Sequence, residues 1–179
     1  MPIIYLSLGT NLGQRENNLQ EALQALPPTV TVTAISRLYE TAAAYVLDQP
    51  DFLNLALKGH TELSPPDLLT YLKNIENKMG RQKTIRYGPR NIDLDILFYD
   101  ELILESQILQ IPHPRLAERA FVLRPLQDIA PNLIHPVLRQ PIHELVANLP
   151  HDDGILEIGE FRKIIMPEKL TFFHYQSII

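Results

Sequence analysis

The chain has 179 residues, 45% of them hydrophobic and 21% charged, with a net charge of −5 and no cysteine. This length suits one domain with a sizeable core. The acidic balance speaks against a general nucleic-acid binder, and the missing thiols exclude disulfides and thiolate metal sites. No apolar run is long enough to span a bilayer, and Met1-Pro2-Ile3-Ile4-Tyr5 reads as a strand rather than a leader, so the cytoplasm is the expected compartment.

In chain order, Ile3 to Leu8 is a short β-rich run closed by the glycine-containing turn Gly9-Thr10-Asn11-Leu12-Gly13. That turn resembles a phosphate cradle only superficially, because it lacks the Lys-Ser/Thr of a P-loop, and it reads as structural support for the floor of a site. Leu19, Ala22, Leu23 and Leu26 then share one face of a helix that Pro27-Pro28 stops. Val30 to Leu38 reads as a strand, 39–51 as a loop, and Phe52 to Leu63 as a strand with Leu53, Leu55 and Leu57 on one face. Ser64 caps a second helix with proline in its first turn, and Leu68, Leu69, Leu72, Ile75 and Met79 form its apolar stripe. Ile92 to Tyr99 is a further strand, and helical pieces at 116–120 and 122–129 precede a proline-rich stretch.

The order strand, helix, strand, strand, helix, strand predicts an α+β, ferredoxin-like βαββαβ core, an antiparallel sheet with helices packed on one face. One domain over 1–150 is expected, with 151–179 as an extension. That extension is too apolar for a solvated tail and is expected to pack on the same domain or on a neighbour.

The chemistry concentrates between Gly80 and Leu97. Arg81, Lys83, Arg86 and Arg90 form a basic loop without an acidic residue, and Asp93 and Asp95 follow on a strand. Strand side chains alternate, so both aspartates face one way while Ile92, Leu94 and Ile96 face the other. Either feature alone has a bland explanation, as turn carboxylates or as a solvated basic surface. Together they suit a polyphosphate carried with Mg²⁺, because guanidinium groups and carboxylate-bound cations act on the same oxygens.

Four strings extend this reading: Gly9-Thr10-Asn11-Leu12-Gly13, Asp48-Gln49-Pro50-Asp51-Phe52-Leu53-Asn54, Gly88-Pro89-Arg90-Asn91-Ile92-Asp93-Leu94-Asp95 and Ile111-Pro112-His113-Pro114-Arg115. In this order and spacing the chain resembles the 6-hydroxymethyl-7,8-dihydropterin pyrophosphokinases of folate biosynthesis, over about residues 3 to 145. The resemblance implies a ferredoxin-like fold and transfer of pyrophosphate from ATP to the pterin hydroxymethyl group, with release of AMP. It implies that Asp93 and Asp95 hold two Mg²⁺ ions and that Arg81 and Arg90 contact the phosphates. Lys83, Tyr87, His113 and Arg119 belong by the same resemblance to the nucleotide side, and Glu76 lies near adenine and ribose, with a solvated helix face as its plainer alternative. Phe52 and Phe121 would stack on the pterin, Asn54 would bond its edge, and Thr41, Ala43 and Ala44 would complete the pocket. The run Ala42-Ala43-Ala44-Tyr45 lacks the prolines often found there in the family.

The partners so implied are ATP and the pterin, with no nucleic acid and no membrane, and a monomer is favoured. Segments 41–48 and 80–90 are expected to be mobile loops that close over the bound pair. Two other readings stand beside this one. A ferredoxin-like domain can bind RNA through a basic loop and a stacking Phe52. A different metal-dependent phosphoryl or nucleotidyl transferase can use the same aspartates.

Overall fold

The computed structural model describes residues 1–43, 48–80, 88–150 and 154–161. Strand β1 (Ile3–Thr10) leads through the left-handed Gly13 into α1 (Arg15–Ala25), which buries Leu19 and Ala22. Asn18 donates to Thr10 Oγ1 at 3.2 Å and to the Leu12 carbonyl at 2.8 Å, tying the first turn of α1 to the glycine turn. β2 (Val30–Ile35) and β3 (Arg37–Thr41) follow, then β4 (Phe52–Thr61), α2 (Pro65–Lys78) and β5 (Asp93–Tyr99). Ser64 caps α2 by accepting from the Asp67 N–H, and Asp67 and Lys78 lie at the ends where the helix dipole favours their charge.

The sheet runs β5-β1-β4-β3, with β2 also on β4, and its strand pairs are antiparallel. This is the expected α+β, ferredoxin-like arrangement. The single strand expected over 30–38 is instead two, and the second continues through Tyr39, Glu40 and Thr41, which had been read as loop. Ser36 makes the break. Its N–H donates to the Ala56 carbonyl and its hydroxyl accepts from Ala56 N–H, both at 2.9 Å, so the chain bends without losing β4.

The helices do not stay on one face. Leu6, Leu8, Leu55, Leu57, Leu94 and Ile96 form one core with Leu19, Leu68, Leu72 and Ile75 of α1 and α2. After the short hairpin of β6 (Leu104–Glu105) and β7 (Gln110–Ile111), the chain crosses to the other face. There a 3₁₀ turn (Leu116–Glu118), α3 (Ala120–Ile129) and α4 (Ile142–Ala147) cover Tyr5, Ala56, Leu97 and Phe98 with Leu123, Leu126, Ile142 and Leu145. Double coverage is why Leu53 to Leu57 of β4 is buried without alternation. A register shift between β1 and β5 leaves Leu97 as an extra residue, so Leu97 and Phe98 both enter the second core.

The last described strand, β8 (Ile155–Glu160), pairs antiparallel with β3 and extends the sheet. Arg37 fixes that corner. Its guanidinium binds Asp128 of α3 and, at 2.7 Å, Glu157 of β8. The Tyr39 hydroxyl donates to the same Asp128 carboxylate, at 3.0 Å to Oδ2.

Candidate active site

A cavity of about 280 Å³ opens where the C-terminal half of β1 meets β5, the start of β4 and the N-terminus of α3. Its lining includes Asp93, Asp95, Arg90, His113 and Arg119 on one side, and Thr41, Phe52, Asn54 and Phe121 on the other. Residues separated by up to 80 positions thus converge because β1 lies between β5 and β4. The pairings Gly9↔Asp93 and Gly9↔Asn54 put the acidic strand and the amide on either side of one glycine. A Cβ at Gly9 would stand 3.1 Å from Asn54 Oδ1 and 3.9 Å from Phe52 Cδ1, so glycine is what lets those side chains close over β1.

The acidic pair faces the cavity as alternation requires, with Ile92, Leu94 and Ile96 in the opposite core. Arg90 Nη1 lies 2.6 Å from Asp93 Oδ2. Asp95 has a looser counter-ion, Lys73 Nζ at 3.8 Å. Burial and then the Asp93 charge push the Asp95 carboxyl up to about 6, with Lys73 pulling against them.

On the same side of the cavity, desolvation and the Arg119 charge bring His113 down to about 4. The ring is therefore neutral near pH 7. Its Nδ1 accepts from Arg115 N–H at 3.3 Å, which leaves Nε2 as the protonated donor. The guanidinium of Arg119 stands 5.6 Å from the Phe121 ring centre. Its Nε is buried without a hydrogen-bond partner among the described residues, the condition of a donor that an anionic ligand satisfies.

On the other side, Asn54 and Thr41 are both buried, and Asn54 Nδ2 donates to Thr41 Oγ1 at 3.0 Å. In this arrangement the amide carbonyl is turned towards Gly9. Phe52 and Phe121 line the cavity half-buried, each presenting apolar ring surface to it. Ala42 lines it as well, whereas Ala43 is buried alongside.

Some expected residues fall elsewhere. Glu76 does not line the cavity, nor is it a solvated helix face. It is 1% exposed, and its Oε1 accepts from Leu94 N–H at 2.7 Å. Arg81, Lys83, Tyr87 and Ala44 lie outside the described residues, as do most of the segments expected to close over the substrates. Two contributors had not been singled out. Lys73 reaches the acidic end of the cavity from α2, and an isolated lysine on a helix carries no signal of that. Asn11, 1% exposed, donates from Nδ2 to Gln49 Oε1 and the Pro50 carbonyl, both at 3.0 Å, and accepts Arg90 N–H at 2.8 Å. Its place in the glycine turn hid this role.

Residues 5–131 match the family model described as 7,8-dihydro-6-hydroxymethylpterin-pyrophosphokinase. The chain belongs to this family. Among pyrophosphokinase relatives, the 2-amino-4-hydroxy-6-hydroxymethyldihydropteridine pyrophosphokinase of Aquifex aeolicus is 40% identical over 144 residues, covering 80% of this chain and 90% of the relative. The Bacillus subtilis enzyme of the same name is 45% identical over 129 residues, covering 71% and 77%. The folic acid synthesis protein FOL1 of Dictyostelium discoideum is 44% identical over 156 residues, 87% of this chain but 24% of that protein. The chain thus spans about a quarter of the length of such larger relatives. Plasmodium falciparum HPPK-DHPS, solved as the wild type with SDX-DHP, superposes with a TM-score of 0.67 at 19% identity. That match covers 88% of this chain and 47% of the other, and speaks to the fold alone.

Proposed function

We propose that this chain transfers pyrophosphate from ATP to the hydroxymethyl group of 6-hydroxymethyl-7,8-dihydropterin, releasing AMP, as a Mg²⁺-dependent step of folate biosynthesis. The observation that carries this is the meeting, in one cavity, of an aspartate pair, a buried unpartnered arginine nitrogen and an aromatic pocket with an oriented amide. Family membership supports the same reaction.

The donor set fits Mg²⁺. This ion is held by one or two carboxylates together with water and substrate phosphates, not by an all-protein cage. Among the described residues no group of three or more His, Cys, Asp or Glu gathers for a metal. Asp93 and Asp95 would hold two of them. When bound, Mg²⁺ supplies positive charge to the phosphate oxygens and to the departing AMP.

The chain's own part is positional and electrostatic. Asn54, fixed by Thr41, reads the pterin edge, and Phe52 and Phe121 flank its faces. That places the hydroxymethyl oxygen towards the acidic end for attack on the β-phosphorus, in line with the leaving α-phosphate oxygen. The new O–P bond forms, the bond to the AMP oxygen breaks with its electron pair, and the hydroxyl proton is released overall. Arg119 and neutral His113 donate to phosphate oxygens, and Arg90 is held within reach by its bond to Asp93.

The test is ³¹P NMR of ATP, Mg²⁺ and the pterin with wild-type chain and with Asp95→Ala. Wild-type protein should produce AMP and a pyrophosphorylated pterin, and Asp95→Ala should not. Release of ADP or free pyrophosphate, or near-normal turnover by the variant, overturns the proposal.

A further inference from the structure

Strand β5 is the edge of its sheet, with β1 on one side only. An edge strand carries backbone groups that need other partners. At Leu94 those partners are two side chains of α2. Glu76 Oε1 accepts from Leu94 N–H at 2.7 Å, and Lys73 Nζ donates to the Leu94 carbonyl at 3.2 Å. Lys73 and Glu76 are three positions apart, on one helix face, and are joined to each other at 2.7 Å. Together they occupy the donor and acceptor that a neighbouring strand would otherwise take.

The position matters more than the bonds. Leu94 sits between Asp93 and Asp95. Its N–H belongs to the peptide plane shared with Asp93, and its carbonyl to the plane shared with Asp95. Gripping both groups fixes both planes, and with them the directions in which the two carboxylates leave the backbone. The Leu94 side chain, fully buried in the α1/α2 core, anchors the same residue from the opposite face. Lys73 is also the looser counter-ion of Asp95, at 3.8 Å, a separation longer than either of its hydrogen bonds.

We infer that Lys73 and Glu76 are positioning residues: clamped on Leu94, they set the mutual orientation of Asp93 and Asp95 and hence their grip on the divalent cations that carry the nucleotide. This rests on the proposed reading of the aspartates as metal ligands. Groups standing behind ligands in this way typically change metal affinity about tenfold to a hundredfold when removed.

The experiment uses the full chain with Mn²⁺ and α,β-methylene-ATP, which lacks the cleavable linkage. Mn²⁺ affinity is measured by calorimetry and Leu94 amide exchange by NMR. Lys73→Ala should weaken Mn²⁺ binding by about tenfold or more and accelerate exchange at Leu94 but not at Leu6 or Leu55. Lys73→Arg should recover both, and Glu76→Gln, which keeps an acceptor for Leu94 N–H, should fall between wild type and Lys73→Ala. A lysine acting only as a charge near Asp95 predicts the opposite sign, since its removal would tighten cation binding. Unchanged or tighter Mn²⁺ binding by Lys73→Ala therefore overturns the clamp alone. Wild-type chain that binds no Mn²⁺ with the analogue overturns the metal-ligand reading along with it.

Discussion

The burial of Asp95 beside Asp93 comes at a cost to the ligand-free fold, and that cost is measurable. The fold moves its carboxyl from 3.8 up to about 6, first through burial and then through Asp93. Each pH unit of displacement corresponds to about 1.4 kcal/mol, so the whole amounts to about 3 kcal/mol. The side chain keeps 35% of its surface, and screening reduces the usable part to about 1–2 kcal/mol. The sign is that of a raised carboxyl: the fold binds this proton more tightly than the unfolded chain does. Its contribution is complete below pH 3.8 and is lost as pH rises through about 6. Asp95→Asn, which cannot ionise, should therefore melt about 2–6 °C higher than wild type near pH 7.5 in chelator, while losing activity. Near pH 4.5 the gap should narrow to about a third of its neutral value, closing only below pH 3.8. Differential scanning calorimetry at the two pH values reads this, and titrating groups remote from Asp95 cancel because both proteins share them. A variant that melts no higher than wild type near neutral pH, or a gap unchanged by acid, refutes the reasoning.

His113, brought down to about 4, should stay neutral in an NMR titration until that region. Below its ordinary 6.5 the unfolded chain takes a proton that the fold refuses, so His113→Gln should lose less stability than wild type between pH 6.5 and about 4 in chemical denaturation. Gly9→Ala places a methyl 3.1 Å from Asn54 Oδ1, on a strand that accepts alanine. It should raise the pterin KM about tenfold, equivalent to about 1.4 kcal/mol of lost contact, with little change in ATP KM. Asp128→Ala removes the carboxylate that binds both Arg37 and the Tyr39 hydroxyl and should cost about 2–3 kcal/mol in urea unfolding. Wild-type stability in that variant would show the corner between α3, β3 and β8 to be incidental.

Much of this architecture was legible in the sequence because its signals are local. Ser64 with the prolines after it announces α2, and alternation along Ile92 to Ile96 puts both aspartates on one face. The second layer of helices was not legible. Covering Tyr5, Ala56 and Phe98 from the far side abolishes the polar face that a one-sided sheet would show, and a run buried on both faces has no period to read. Tyr39 has no local signal either: it lies between β4 and β8, and its hydroxyl bonds Asp128, 89 positions away. Glu76 shows the limit most plainly. A glutamate on a helix reads as solvated until the strand whose N–H it accepts is known.

The catalytic demand of the proposed reaction is that two substrates meet at a fixed distance, and the fold answers it through β1. Gly9 leaves room for the Asn54 and Phe52 side chains by its lack of a Cβ, while Asn11, two residues on, holds both flanking segments. Its Nδ2 bonds Gln49 and Pro50, just ahead of Phe52, and its Oδ1 and N–H bond Arg90, just ahead of Asp93. Every polar group of that side chain which points to a segment thus points to one that enters the cavity. A movement of the 48–51 segment must be transmitted to Arg90 or break a buried amide's bonds, and the second course leaves unsatisfied polar groups at about 1–3 kcal/mol each. Asn11 thus couples the segment ahead of Phe52 to the segment ahead of Asp93.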